Sequence, residues 1–266
     1  MRRLVTTLFC AVALLSGTPG FAANCGNSAG GFPAWKQEFA KEAARQGIGQ
    51  RGLAALANTQ YAQSTINADR GQKSFKLSYE QFCQKRGCNV IVSQGKKRKA
   101  QNPAFYQSLE NRYGVPSGVI IAIHGMETGF GRFMGNSNVL SATATLAYDC
   151  RRPHFFQPHL LSALVMIDRG MMSPNAIGAK HGELGHTQFL PGNALRYGQD
   201  GNGDGRVDFN NMTDALASTA NYLRMKGWAP GQSYQPGSRN YNVLKEWNAA
   251  SVYQQSLAVM GAQIDG

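Results

Sequence analysis

One helix-length segment constrains this chain more than any other. Val115-Pro116-Ser117 opens it, with Pro116 near the first turn, where a missing N–H is harmless. Val119, Ile120, Ile121 and Ile123 then form an apolar stripe that calls for a protein core. Glu127 lies seven residues after Ile120 and four after Ile123, so a 3.6-residue repeat puts its carboxylate on or beside that stripe. Gly129 and Gly131 close the helix. A helical glutamate is ordinarily a solvated surface residue. Beside an apolar stripe, burial disfavours its charged form and raises its pKa, and the slightly negative helix C-terminus pushes the same way. A carboxyl that stays protonated near neutral pH can act as a general acid toward a leaving oxygen.

The flanking segments also read as helical. Trp35, Phe39, Ala43 and Ala44 recur at helical spacing, and Phe105, Leu109 and Tyr113 stand at i, i+4 and i+8 before Gly114. Leu160 to Ile167 is a further apolar helix, stopped at Gly170. Residues 176 to 211 are Gly-rich and irregular, which suits a binding surface. Thr213 is expected to cap the next helix, with Asp214 in its first turn and Leu216, Ala220 and Leu223 on its buried face. The tail from Tyr241 to Ile264 ends in one more helix. Asn89-Val90-Ile91-Val92 reads as a short strand. The balance is mainly α (α+β), with a few short strands and no internal repeats.

The first residues read as an export signal. Arg2 and Arg3 precede the apolar run Leu4 to Leu15, and Gly20-Phe21-Ala22 offers a small-x-small cleavage site. The run is short for a membrane span. Asn24 before Cys25 departs from a lipidation box, so no stable membrane anchor is expected. Cys10 would leave with the signal, and Cys25, Cys83, Cys88 and Cys150 remain for an oxidising compartment. Of three possible pairings, Cys83–Cys88 closes the shortest loop, which leaves Cys25–Cys150. The formal charge is +12, and removing Arg2 and Arg3 leaves +10, so an anionic partner is indicated. Export and the lack of a helix-turn-helix or zinc-finger pattern argue against nucleic acid. The densest basic run, Lys96-Lys97-Arg98-Lys99, reads as a solvated linker. The expected layout is a signal over 1–23, a helical lobe over 24–100 and a catalytic domain over 101–266.

The residues around Glu127 resemble a known family. His124-Gly125-Met126-Glu127-Thr128-Gly129-Phe130-Gly131 is similar to the catalytic motif of the lytic murein transglycosylase B family. So are Arg112-Tyr113-Gly114-Val115-Pro116, Ala144-Thr145-Leu146-Ala147-Tyr148-Asp149, Gly185-His186-Thr187-Gln188-Phe189-Leu190-Pro191, and Ser218-Thr219-Ala220-Asn221-Tyr222-Leu223 with Gly227-Trp228. These blocks follow the family's order from about residue 32 onward. The resemblance implies a lysozyme-like core, goose-type in its helical layout, with an adjoining helical lobe. It implies a periplasmic enzyme that cuts peptidoglycan between N-acetylmuramic acid and N-acetylglucosamine and leaves a 1,6-anhydro end. One glutamate, here Glu127, would act as acid and then base. A hydrolysing muramidase of the same fold and a non-catalytic wall-binding protein are the alternatives.

An internal hydroxyl nucleophile needs no second carboxylate, whereas ordinary glycosidases need two. Glu183 is the best candidate for a second acid in this sequence and Asp149 the next, and each reads as a loop or capping residue ahead of a catalytic one. The resemblance further implies substrate-binding roles for Gln188, Phe189, Tyr222, Trp247 and Asn248, with Glu183 beside them. Aromatic faces stack on sugars while polar groups fix their hydroxyls. His124 and His186 depart from the family's usual residues, which touches the shape of the cleft. Asp200-Gly201-Asn202-Gly203-Asp204-Gly205-Arg206-Val207-Asp208 resembles an EF-hand loop. Asp200, Asn202, Asp204, the Arg206 carbonyl and Asp208 fit successive oxygen-ligand positions for a structural Ca2+, but the twelfth position holds Asn211 where an acid is usual. The chemistry itself calls for no cofactor, and a monomer is expected.

Overall fold

The computed structural model describes residues 24–71 and 77–266, so the expected signal and Cys10 lie outside the described residues. The chain is built almost wholly of helices. They run α1 (Phe32–Arg45), α2 (Gln50–Ala57), α3 (Gln63–Arg70), α4 (Tyr79–Arg86), α5 (Cys88–Gln101), α6 (Pro103–Tyr113) and α7 (Ser117–Thr128). After strand β1 (Ser137–Asn138) come α8 (Val139–Tyr148) and α9 (Pro153–Asp168). After β2 (Ile177–Gly178) come α10 (Pro191–Tyr197), α11 (Met212–Met225), α12 (Arg239–Trp247) and α13 (Ser251–Asp265). The two strands pair antiparallel, Ser137 opposite Gly178 and Asn138 opposite Ile177.

Helix α7 is the hub. Every residue from Ser117 to Met126 is buried. Enclosing Val119, Ile120, Ile121, Ile123 and Met126 contributes roughly 8–15 kcal/mol of hydrophobic transfer as an upper bound. That is enough to fix the helix and whatever side chain its last turn carries. Helix α13 packs along α7, and α5 packs against both. The α7–α13 seam depends on Gly118: a Cβ there would lie 2.3 Å from the carbonyl oxygen of Gly261. On the other side α8 packs on α9, α2 packs on α9, and α1 lies across α2 and α8. The Asp168 carboxylate at the end of α9 accepts from the backbone N–H of Gly49 (2.5 Å) and Gly52 (2.6 Å), fixing the start of α2. Residues on both sides of position 100 join one buried cluster.

Two cross-links close the chain. Cys25 is bonded to Cys150 and Cys83 to Cys88. The first ties the start of the described chain to the end of α8, where the Gly26 N–H also donates to the Tyr148 carbonyl (3.0 Å). The second spans the junction of α4 and α5, where Gly87 takes the left-handed conformation (φ 70°).

Four sequence expectations fail here. The supposed strand at Asn89–Val92 is the first part of α5. Cys88, Ile91 and Gly95 turn inward at i, i+3 and i+7 while Val90 points out, so burial against α7 and α13 overrides the β preference of Val-Ile-Val. The basic run Lys96–Lys99 is not a linker but the continuation of that helix. Arg98 lies over the Phe130 ring at 4.4 Å, and Lys99 pairs with Asp265 at 2.7 Å. The cap of α11 is Asn211, whose side chain accepts from the Thr213 N–H, rather than Thr213 itself. The tail also carries two helices, α12 and α13, where one was expected.

Candidate active site

Glu127 leaves the core at the last turn of α7, partly open to a groove and enclosed by protein elsewhere. Its Oε1 accepts two hydrogen bonds. The Trp247 indole N–H donates at 2.9 Å from the end of α12, and the Tyr253 phenol donates at 2.6 Å from the first turn of α13. Burial pushes the Glu127 carboxyl above the usual carboxylate range. The Tyr253 and Trp247 hydrogen bonds and the nearby Arg86 charge pull against it, while Glu183 adds to the rise. Both donors hold the same oxygen, so the acid's proton belongs on Oε2, the oxygen left free. Burial and the Glu127 charge drive the Tyr253 phenol well above its ordinary pKa, which keeps it a neutral donor.

The groove on one side of Glu127 has a volume of about 550 Å3. Glu183, Gln188, Phe189, Trp247 and Asn248 line it, so these expected residues do come together with Glu127. Gln188 sits in the left-handed region (φ 55°), rare for a residue with a side chain, in the turn after Gly185. Its amide Nε2 donates back to the Gly185 carbonyl at 2.7 Å. Gly185 is itself obligatory, because a Cβ would lie 1.9 Å from the Phe209 carbonyl oxygen. Phe189 is packed edge-on between Trp247 and Tyr222, so it braces the wall it lines. Glu183 is engaged locally: its Oε2 accepts from the His181 N–H at 3.0 Å, and its Oε1 is 3.3 Å from the His181 ring.

One expected groove residue is corrected, and the weaker second-acid candidate falls to a structural role. Tyr222 does not line the groove. It is buried behind Phe189 and Trp247, and its hydroxyl donates to the Glu246 carbonyl at 2.6 Å, which anchors the end of α12. Asp149, weighed as a second acid, is buried away from Glu127. It accepts from Arg70 (2.8 Å) and from the Arg151 N–H (2.9 Å).

Sequence reasoning missed several neighbours. Tyr253 touches Glu127 across 126 residues of chain, and no local spacing marks it. Asp69, at the end of α3, binds the guanidinium groups of Arg151 and Arg152 at the groove's far end. Burial pushes the Asp69 carboxyl up, but those two hydrogen bonds outweigh it and hold it below its ordinary value. The His124–His186 departure proves to be a contact. The two rings meet at 3.0 Å, Nε2 to Nδ1, linking the acid-bearing helix to the Gln188 turn. Burial holds His124 at about 3, so it is neutral.

The 200–211 loop lies apart from the groove lining. Asp200 accepts from the N–H groups of Gly203, Asp204 and Gly205, and Gly205's bond leads in holding its carboxyl below the ordinary range. Asn202 accepts from Asp204, Asp204 from Arg206 and Asp208 from Asn210. Beneath them the buried Asp214 accepts from Gly201, Asn202 and Asp208. The donor types suit calcium, but each of these side chains already accepts from at least one loop amide. Among the described residues no group of three or more His, Cys, Asp or Glu is arranged to hold a metal.

Comparison with known proteins places the chain in a family. The Transglycosylase SLT domain family matches residues 31–238. Membrane-bound lytic murein transglycosylase B of Escherichia coli (strain K12) is 37% identical over 132 residues, 47% of this chain and only 37% of that protein. SltB3 from Pseudomonas aeruginosa, solved in complex with NAG-anhNAM-pentapeptide, superposes with a TM-score of 0.79 at 28% identity, covering 88% of this chain and 80% of that one. Escherichia coli lytic transglycosylase Slt35, solved in complex with calcium, agrees in fold, with a TM-score of 0.76 at 21% identity over 91% of this chain and 96% of that one. The family match runs from the start of α1 to the threshold of α12 and takes in the helix that presents Glu127, and on that ground the chain belongs to the Transglycosylase SLT domain family.

Proposed function

We propose that this chain is a lytic transglycosylase that cleaves the β-1,4 bond between N-acetylmuramic acid and N-acetylglucosamine in peptidoglycan. One observation carries the reading: a glutamate with a raised pKa that lines a groove and takes two donors on one oxygen. Protonated Oε2 gives its proton to the glycosidic oxygen as that bond breaks. The resulting carboxylate then takes the proton of the muramoyl 6-hydroxyl, whose oxygen bonds the anomeric carbon. The products are a free 4-hydroxyl and a 1,6-anhydro end, and Glu127 is reprotonated. Gln188, Asn248 and Glu183 offer polar groups to the sugar hydroxyls, with Trp247 and Phe189 as the apolar wall. The same anhydro sugar appears in the ligand of the SltB3 relative.

Mass spectrometry of purified peptidoglycan after digestion tests the reading. Anhydro ends are expected from the wild type and none from Glu127→Gln, whose fold and wall binding persist. Hydrated ends would assign a muramidase instead, with Glu183 activating water. Retained lysis by Glu127→Gln would defeat the enzymatic assignment.

Both disulfides, the wall polymer as substrate and the basic-apolar run at Arg2–Leu15 support a periplasmic site of action. No helix among the described residues is long and apolar enough to cross a membrane. Any calcium taken up is structural and belongs to the Asp200, Asn202, Asp204, Arg206 and Asp208 loop, where it would compete with the amides now served. Added CaCl2 should raise Tm for the wild type and not for Asp200→Asn. An unchanged wild-type Tm removes calcium from the account.

A further inference from the structure

The Cys83–Cys88 bond joins residues only 5 apart, so it restrains little of the unfolded chain. Its place in the fold points to another use. Gln84, Lys85, Arg86 and Gly87, the residues it brackets, all line a second hollow of about 540 Å3 that also includes Glu127. Helix α4 ends at Arg86, and of its eight residues Phe82 alone is buried. A helix this short is held by its neighbours rather than by its own turns. The Phe82 ring meets the Tyr253 ring edge-on at 6.2 Å, and Cys83 Sγ lies 3.6 Å from Ser256 Oγ, both partners being on α13. The disulfide then fixes the corner between α4 and α5, with Arg86 inside it.

Arg86 is what this corner presents to the acid. Its guanidinium donates to the Met126 carbonyl, and its Nε lies 3.4 Å from Met126 Sδ. Met126 precedes Glu127 in the last turn of α7, and its carbonyl is among those that a helix end leaves without an internal partner. The amide that could reach it, that of Phe130, turns instead to the His124 carbonyl at 3.3 Å. Arg86 therefore satisfies that carbonyl and sets a positive charge at the negative end of the helix.

No carboxylate pairs with Arg86 among the described residues, so no ion pair neutralises this charge. It favours the Glu127 carboxylate against burial, as do the Tyr253 and Trp247 donors, while Glu183 opposes it from across the groove. Lys85 and Arg132 line the same hollow as Arg86. At the groove's far end Arg151 and Arg152 are bound to Asp69, and His181 sits against Glu183. The proposed reaction turns Glu127 into a carboxylate midway. A cation already fixed nearby stabilises that state without having to move.

We propose that Arg86 is a positioning residue for Glu127 and that the Cys83–Cys88 bond holds it in place: the guanidinium anchors the last turn of α7 and keeps a positive charge near the carboxylate formed when the glycosidic oxygen takes the proton. The inference rests on the transglycosylase reading above and goes beyond it by joining a disulfide to the acid's ionisation.

Arg86→Gln removes the charge and Arg86→Lys keeps it. In Arg86→Gln, kcat should fall about tenfold while KM stays within about twofold. The alkaline limb of kcat/KM should move to higher pH, because loss of a neighbouring cation favours the protonated acid. Arg86→Lys should hold the limb at its wild-type position and recover part of the rate. Cys83→Ser/Cys88→Ser should move the limb in the same direction as Arg86→Gln, and should add no further loss in an Arg86→Gln background. Carbon-13 NMR titration of the Glu127 carboxyl in the free protein, assigned with Glu127→Gln, reads the effect without turnover: the midpoint should rise in Arg86→Gln and in the serine pair. An unmoved midpoint and limb in Arg86→Gln would overturn the proposal. So would a changed KM at unchanged kcat, which would make Arg86 a substrate contact instead. A serine pair whose loss adds in full to that of Arg86→Gln would remove the disulfide from it. If wild type yields no anhydro ends, the transglycosylase reading fails, and the NMR midpoint still decides the role of Arg86.

Discussion

At Glu127, burial and hydrogen bonding pull in opposite directions, and burial wins. The balance is adjustable because Tyr253 supplies one of the two donors found among the described residues. A hydrogen bond to a carboxylate favours the charged form, so removing it raises the pKa further. Catalysis needs the acid form, and activity therefore falls as pH rises through the Glu127 pKa. In Tyr253→Phe the alkaline limb of kcat/KM should move to higher pH, while the rate at the optimum drops about tenfold because Oε1 loses an anchor. An unmoved limb would show that the phenol does not bond the carboxylate in the free enzyme. Sequence spacing was enough to place Glu127 against the core, because an i−4 isoleucine is a local fact. It could not find Tyr253 or Asp69, whose contacts close only when distant helices pack. Tyr222 misled for the same reason: its helix faces the right way, but Phe189 and Trp247 stand between it and the groove.

Among the elements, α7 and α13 act as one piece. The first carries the acid and the second its phenol donor, and Gly118 lets their backbones meet. Gly118→Ala would force the helices apart at the Gly261 carbonyl, at about 1–3 kcal/mol of stability. Denaturant unfolding should show that loss, and activity should fall with it because the Tyr253–Glu127 distance lengthens. Full stability with full activity in this variant would mean the seam has slack. Apolar periodicity revealed α7 and α11 because each is surrounded by core. It failed at α5, whose Val90-Ile91-Val92 run looks strand-like until the partners that bury Ile91 and Gly95 are known. The Asp/Asn/Gly loop likewise showed its oxygens in sequence but not the amides they serve.

Across the whole molecule, the two disulfides restrain very different lengths of chain. Cys25–Cys150 spans 125 residues and Cys83–Cys88 only 5. Loop-closure entropy then assigns about 4–5 kcal/mol to the first and about 2 kcal/mol to the second. Cys25→Ser/Cys150→Ser should accordingly lower Tm by roughly twice as much as Cys83→Ser/Cys88→Ser. The reverse order would mean that strain or residual structure, not chain entropy, decides. The mainly helical class could be read from composition and spacing, and the two cross-links from the cysteine count. How α1 to α3 brace α8 and α9 could not, since that depends on single long-range bonds such as Asp168 to Gly49.

The burial of α7 has one more consequence. Amide protons between Val119 and Ile123 meet no solvent unless the entire chain comes apart, so they should rank among the last to exchange for deuterium. The proposed acid is thus mounted on a helix buried along nearly its whole length, and adjustment to an irregular polymer would fall to the turns around it.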